Sequence, residues 1–368
     1  MSMPAKVLVC PLNWGLGHAT RCIPVVHAFL ERNCTVTVAA SGASLELLRQ
    51  EFGNRVTYEE FPGKEIRYSR GCFMILKLTS QLPAFLVSMV KEHLWISRNV
   101  KLIQPQIVVS DNRYGVRSKH VLSVFISHQV FIQMPPKLKP IQSFANYINH
   151  IFLKAFDHCW APDIENPPGL SGVLTHHKPL SFVDFVGPLS RFQDVENYNR
   201  HDMAGQLPEN FILVILSGPE PQRTILEEKL QRELKDETVV WFRAFPGNTV
   251  LQRLGNHFLF NHGSTSLMGY CIQKARMVIS RSGYTTVMDL AVFGKKAVLI
   301  PTPGQTEQEY LAQLLDKQQM AAAIIQKSIS QLQESMKKAE SYRGISVSDS
   351  GSLLNFHVDK ILKQVTGP

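Results

Sequence analysis

The chain is sparing with charge. Only 19% of its 368 residues are Asp, Glu, Lys or Arg, and 44% are apolar. That balance excludes a disordered chain and leaves ample material for buried cores, and the length suggests two domains. It also lacks paired cysteines: the six stand apart at 10, 22, 34, 72, 159 and 271, with no CxxC. Several lie in apolar runs, where a reduced thiol acts as a small hydrophobe, and no zinc site is suggested. No long hydrophobic run is unbroken. The most apolar one, CFMILKLTSQLPAFLVSMV, contains Lys77 and Pro83 and is not expected to span a bilayer. The opening MSMPAKVLVC leaves no room for a signal peptide before the first strand. These absences together read as a cytoplasmic protein. The net charge of +9 favours anionic partners. Because no dense Lys/Arg block with interleaved aromatics occurs, nucleic acid is not among them.

What is present is alternation. KVLVC (6–10), TVTVAA (35–40), VTYEEF (56–61), QIVVS (106–110) and LSVFIS (122–127) are short, apolar and bounded by turn residues. They fit a parallel sheet covered on both faces. Helices are expected over 18–32, 43–52, 72–102 and 141–155. A polar stretch, GPLSRFQDVENYNRHDMAGQLPEN, reads as the domain connection, after which the pattern restarts. Strands are expected at 211–218, 238–245, 257–261, 276–280 and 296–301, and helices at 221–235, 284–293 and 306–317. The fold class is α/β, with two doubly wound domains. The expected boundaries are 1–190 for the first domain, 191–210 for a linker, 211–349 for the second domain and 350–368 for a terminal helix that packs back on the first.

In such sheets ligands bind beyond the carboxyl ends of strands. Four stretches stand there. NWGLGHATR (13–21) follows the first strand and sets His18 at a helix start. Histidine exchanges protons near neutral pH, and a helix N-terminus disfavours imidazolium, which suits a base that begins neutral. SDNRYG (110–115) offers Asp111 to orient His18 and Arg113 to read an anion, and SHQ (127–129) puts His128 at the same rim. LSGPEPQR (216–223) combines Ser217, Gly218 and Arg223, residue types that suit phosphate oxygens. In SRSGYTTVMD (280–289), Arg281, Ser282 and Gly283 lead into a helix whose N–H groups suit a phosphate, assisted by the Thr285 and Thr286 hydroxyls. Asp289, two turns beyond Ser282, can accept from a ribose diol. Each also has a plain reading: a capping residue, a structural histidine, or an exposed polar loop.

Asn13–Arg21 together with the 281–310 stretch resembles the glycosyltransferase-B (GT-B) superfamily. The nearest patterns are the GlcNAc-transferase of lipid II synthesis and glycosyltransferase-like proteins carrying W-G-L-G-H-A-T-R. The resemblance spans roughly 5–315 and implies two Rossmann-like domains facing across a cleft. It implies a nucleotide-sugar donor, a substrate rather than a cofactor, held by the second domain. There Ser282, Gly283 and Thr285 would face the diphosphate, Asp289 the ribose, Gln305, Glu307 and Gln308 the sugar, and His262 the base. Gly17, Ser217, Gly218, Arg223, Arg281 and Thr286 complete the donor set. His18 would be the catalytic base, assisted by Asp111, with a glycan or lipid-linked acceptor of the cell-envelope polysaccharide kind. Relatives often have glutamate at the Asp289 position and a glycine-rich loop where this chain has GPEPQR. No DxD metal motif occurs, and no metal is expected. The reading is an inverting, metal-independent hexosyltransferase, with a UDP-sugar favoured. A hydrolase sharing GxGHxxR is the main rival; an epimerase and a non-catalytic nucleotide-sugar binding protein stand behind it. Segment 64–104, apolar and flanked by Lys64, Arg67, Arg70, Lys91, Arg98 and Lys101, has two readings. It is either a core helix, the favoured one, or a peripheral contact with the inner face of a membrane.

Overall fold

The strands form where short β-branched runs meet glycine or polar turns, and the helices form where apolar residues recur at helical spacing. In the computed structural model, residues 4–13, 15–61, 74–192, 195–245, 250–347 and 352–366 are described. Trp14, Cys72 and the 64–73 part of the basic apolar segment, with Lys64, Arg67 and Arg70, lie outside them. So do the first residues of the helix expected from 72 and the ends of the 350–368 segment.

The first unit holds β1 (Lys6–Pro11), α1 (Leu16–Leu30), β2 (Thr35–Ala40), α2 (Gly42–Phe52), β3 (Thr57–Glu60) and α3 (Met74–Ile103). It continues with β4 (Ile107–Asp111), β5 (Leu122–Ile126), α4 (Gln142–Leu153), β6 (His158–Ala161), α5 (Val173–His176) and β7 (Val183–Phe185). Its seven strands are parallel and ordered β3-β2-β1-β4-β5-β6-β7. The order reverses between β1 and β4, where Pro11 stands opposite Asp111. The sequence at 158–161 (HCWA) and 183–185 (VDF) gave no strand signal, being short and mixed in polarity; each is recruited by pairing with a formed neighbour.

The second unit holds β8 (Ile212–Ile215), α6 (Gln222–Glu233), β9 (Val239–Phe242), β10 (Gln252–Leu254), β11 (His257–Phe260) and α7 (Thr265–Lys274). Then come β12 (Met277–Ser280), α8 (Tyr284–Val292), β13 (Ala297–Leu299), α9 (Thr306–Lys317), β14 (Ala322–Ala323) and α10 (Leu332–Ser341). Its order is β10-β11-β9-β8-β12-β13-β14, with only the β10–β11 pair antiparallel. Here the switch lies between β8 and β12. A dry core of aliphatics around Trp241 fills the space between sheet, α6 and α10.

The first unit ends at Arg191 and the second begins at Phe192. Of the segment expected as a linker over 191–210, Arg191 falls in the first unit and the other described residues in the second. Phe192 and Tyr198 pack on each other and on Phe293, and Tyr198 sits so close to Gly269 that a Cβ there would lie 2.5 Å from its ring. The last helix, α11 (Ser352–Thr366), is part of the first unit. Arg32 clamps it, donating to Asp359 at 2.5 Å and to Asn355 Oδ1 at 3.0 Å.

Candidate active site

Between β1 and α1 the chain must turn sharply. Gly15 makes the turn at φ +74°, in the left-handed region that favours glycine. Asn13 Nδ2 donates to Ser41 Oγ at 2.8 Å, tying this loop to the end of β2. His18 then falls in the first turn of α1, and Asp111 is the last residue of β4. Because β1 and β4 are neighbours, the two side chains converge: His18 Nδ1 lies 2.7 Å from Asp111 Oδ2.

Arg21, one turn after His18, joins them. It is 2% exposed and Asp111 is fully buried. Arg21 Nε donates to Asp111 Oδ1 at 2.6 Å and Nη2 stands 2.5 Å from the same oxygen. Its Nη1 reaches His128 Nδ1 at 3.0 Å and Nη2 reaches His18 Nδ1 at 2.9 Å. A guanidinium only donates, so His128 accepts on Nδ1 and carries any single proton on Nε2. At His18 the shorter, charge-assisted contact is with the carboxylate. That puts the proton on Nδ1 and leaves the Nε2 lone pair as the proton acceptor. Burial, and then the Arg21 charge, hold the His18 pKa below its ordinary 6.5. Burial alone would raise the Asp111 pKa, but Arg21 and His18 outweigh it and hold the carboxyl below the usual range. The cluster is therefore an ionised carboxylate matched by one guanidinium, with a neutral imidazole at its edge. Gly17 lies in the same turn, its carbonyl accepting from Thr20 Oγ1 at 3.0 Å.

Arg113 does not read an anion. It is buried, donates to Glu92 Oε1 at 3.0 Å and to the Pro11 carbonyl at 2.8 Å, and lies over the Phe61 ring. Glu92 also accepts from the Gly115 N–H, so this pair pins α3 to the loop after β4. The sequence shows a cation in a loop but not the acid one helix away that claims it.

In the second unit the loops after β8 and β12 flank the switch point. Gly218 turns at φ +97°, and a Cβ on it would lie 3.6 Å from Thr302 Oγ1, so the loops after β8 and β13 meet there with Ser217 alongside. Gly283 precedes α8 in an extended conformation and has no side chain to cap it, so the first N–H groups of α8 are presented at the strand ends. Thr285 and Thr286 stand half-buried in that first turn, and Asp289 is buried on the next. His262 follows β11 and Glu307 opens α9, both half-buried.

Five of the expected ligand side chains make contacts within the protein. Arg281 is fully buried; it donates to the carbonyls of Ile300, Pro301 and Gln222, and burial pulls its pKa down to about 10. It ties three loops together through its two terminal nitrogens. Arg223 is paired with Glu220, donates to the Arg243 carbonyl and stacks on Phe245. Ser282 donates its hydroxyl to the Gln308 carbonyl at 2.7 Å. Gln308 Nε2 donates to Gln305 Oε1 at 2.6 Å, while its Oε1 accepts from the Thr302 N–H at 2.9 Å, so both glutamines brace the loop after β13. Sequence reasoning named the loop as polar and its side chains as ligands; the internal contacts they make here are ones the sequence does not show. It missed Arg21 as the hub of the first-unit cluster; the signal was there, since His18 and Arg21 are three apart and share a helix face. Among the described residues, no three His, Cys, Asp or Glu side chains gather as a metal site.

Comparison with known proteins bears on these units. Residues 263–346 match the glycosyltransferase family 28 C-terminal domain. A protein of Methanosarcina acetivorans described as an uncharacterized glycosyltransferase is 26% identical over 331 residues, covering 84% of this chain and 81% of its own. Arabidopsis thaliana UGT89C1, solved with UDP-L-rhamnose, aligns over the full length of both chains with a TM-score of 0.63 at 15% identity. MurG of Acinetobacter baumannii aligns over 98% of this chain and 99% of its own, with a TM-score of 0.56 at 15% identity.

Proposed function

We propose that this chain, which belongs to the GT-B glycosyltransferase superfamily by its fold and its family 28 C-terminal domain, transfers a hexosyl group from a nucleotide-sugar to an acceptor hydroxyl with inversion. The observation that carries the reading is the neutral His18 whose Nδ1 is held by a buried, ionised Asp111. A histidine so arranged takes a proton on Nε2 as the hydroxyl oxygen attacks the anomeric carbon, and the imidazolium that forms is met by the carboxylate behind it. One bond forms to the acceptor oxygen, the bond to the leaving phosphate oxygen breaks, and a single displacement inverts the centre. The diphosphate leaves against the N-terminus of α8, whose N–H groups and partial positive charge meet the developing negative charge; the reading calls for no metal ion. Thr285 and Asp289 remain the donor side chains favoured for phosphate and ribose, with a UDP-sugar preferred because UGT89C1 is solved with one. The acceptor is a glycan or lipid-linked alcohol, and the place of action is the cytoplasm.

The test is nucleotide release from UDP-, GDP- and dTDP-sugars by purified protein, with and without a lipid and glycan extract, beside His18→Ala. Release that needs the extract and vanishes in the variant supports transfer, and the anomeric coupling of the product reads inversion. Release in buffer alone makes the chain a hydrolase, since the same dyad would activate water. Binding without release under any condition removes both catalytic readings.

A further inference from the structure

Where the loops after β8, β12 and β13 meet in the second unit, two buried polar groups are left without a match. Thr302 is 3% exposed, and its Oγ1 has no hydrogen-bond partner among the described residues. Its backbone is engaged: the N–H donates to Gln308 Oε1 at 2.9 Å, and the carbonyl accepts from the Gln305 N–H at 3.0 Å. The hydroxyl is what remains over. Arg281 reaches the residue just before it. The two terminal nitrogens of Arg281 bond the carbonyls of Ile300, Pro301 and Gln222. Its Nε has no partner, and no carboxylate among the described residues pairs with this fully buried guanidinium.

A buried hydroxyl without a partner destabilises, and valine would fill nearly the same space without that penalty. A buried cation without a counter-charge is more unfavourable still. Both mismatches have one sign: groups that donate, beside a positive charge, with nothing anionic to receive them. A negatively charged ligand that only accepts resolves both. Position narrows the class. The Gln308 side chain accepts from the Thr302 N–H, while its carbonyl accepts from the Ser282 hydroxyl at 2.7 Å. The N-terminus of α8, a phosphate-binding end by its N–H groups, is therefore one glutamine residue away from the unmatched hydroxyl. On the other side, a Cβ on Gly218 would stand 3.6 Å from Thr302 Oγ1, and Gly218 itself is exposed. The turn after β8 thus covers the hydroxyl with the bare backbone of a glycine, and a small shift of that turn uncovers it.

We propose that Thr302 is a donor-binding residue: its hydroxyl donates to a phosphate oxygen of the nucleotide diphosphate, seated between the Gly218 turn and the N-terminus of α8 with the charge of Arg281 behind it. The assignment rests on the nucleotide-sugar reading and adds to it a residue that grips the leaving diphosphate. A phosphate oxygen accepts only, which is what an unmatched hydroxyl proton and an unmatched guanidinium require. A sugar hydroxyl would bring a donor of its own.

The experiment is calorimetric titration of the full chain with UDP, GDP and dTDP, beside Thr302→Val and Thr302→Ser, with the melting temperature of each protein measured without nucleotide. These probes carry no sugar, so a loss of affinity reads the diphosphate contact. Valine should weaken binding of the preferred nucleotide by about tenfold or more, the effect of losing one hydrogen bond to a charged group. Its melting temperature should stay level or rise, because no bond of the nucleotide-free protein is removed. Serine keeps the hydroxyl and should bind close to wild type. Equal affinity in the valine variant overturns the proposal and leaves the transfer reading standing. So does serine binding as weakly as valine, or a valine variant that melts lower, since the hydroxyl would then be bonded before any nucleotide arrives. A wild type that binds none of the three nucleotides overturns both readings together.

Discussion

Replacing Arg21 by Met separates two roles that the wild-type cluster combines. Among the described residues, Arg21 is the guanidinium paired with the Asp111 carboxylate, and both are buried. Removing one partner of a buried ion pair costs about 3–5 kcal/mol, because the remaining charge stays buried. In this protein the cost depends on pH in a particular direction. In the wild type the His18 pKa is held below its ordinary 6.5. The stability His18 contributes is therefore fully present above about pH 6.5 and is lost as pH falls through the lower, folded value. In Arg21→Met the repelling cation is gone and Asp111 remains 2.7 Å away, so the His18 pKa rises. Burial still lowers that pKa, so the loss of stability on acidification expected of the wild type becomes smaller. The deficit of the variant relative to wild type should thus be largest at neutral and alkaline pH and narrow on mild acidification. Urea denaturation at several pH values reads the stability, and NMR titration of the His18 ring reads the proton directly. Parallel stability profiles, or a His18 titration that stays put or moves down, would refute the electrostatic account. Arg21→Lys, which keeps the charge but loses the fork, should leave the His18 titration low while surrendering part of the stability.

Other expectations follow from single contacts. Asp111→Asn removes the carboxylate behind His18 and should lower kcat by about 10²–10⁴-fold with little change in donor KM, measured by nucleotide release. Ser282→Ala removes the hydroxyl from which the Gln308 carbonyl accepts and should cost about 0.5–1.5 kcal/mol in denaturant unfolding. Gly263→Ala drives a methyl group to within 2.2 Å of the buried Phe242 ring and should destabilise by about 1–3 kcal/mol, visible as a lower melting temperature. Glu92→Gln breaks the pair that pins α3 to the 113–115 loop; protease nicking of α3 should accelerate, and unchanged nicking would count against that pin.

Legibility followed hydrophobic contrast. β1, β2, β4 and β12 are apolar runs ending in turn residues, and their expected limits differ from the observed ones by no more than a residue at either end. The strands β6, β7 and β10 escaped notice because they have four residues or fewer with polar residues among them, and β14 because it is only two alanines; their neighbours, not their composition, make them strands. At the site, His18 and Asp111 could be placed together because both follow adjacent strands of one sheet. The arginines could not. Arg113 and Arg281 look like Arg223 in sequence, yet both bond to groups about 20 residues or more away, and Arg223 also donates to the Arg243 carbonyl, whereas Arg21 works beside the residue that the motif draws attention to.

The return of α11 to the first unit has a consequence for how the protein is made. Among the described residues, the second unit falls in one stretch of chain, whereas the first is assembled from two pieces with the second unit between them. A ribosome working from the N-terminus completes every strand of the first sheet and then the entire second unit before it supplies the helix that Arg32 clamps. Until then the surface on α1 that receives Leu354, Val358 and Ile361 waits uncovered. Nascent-chain folding should therefore close on the second unit first and on the first unit last.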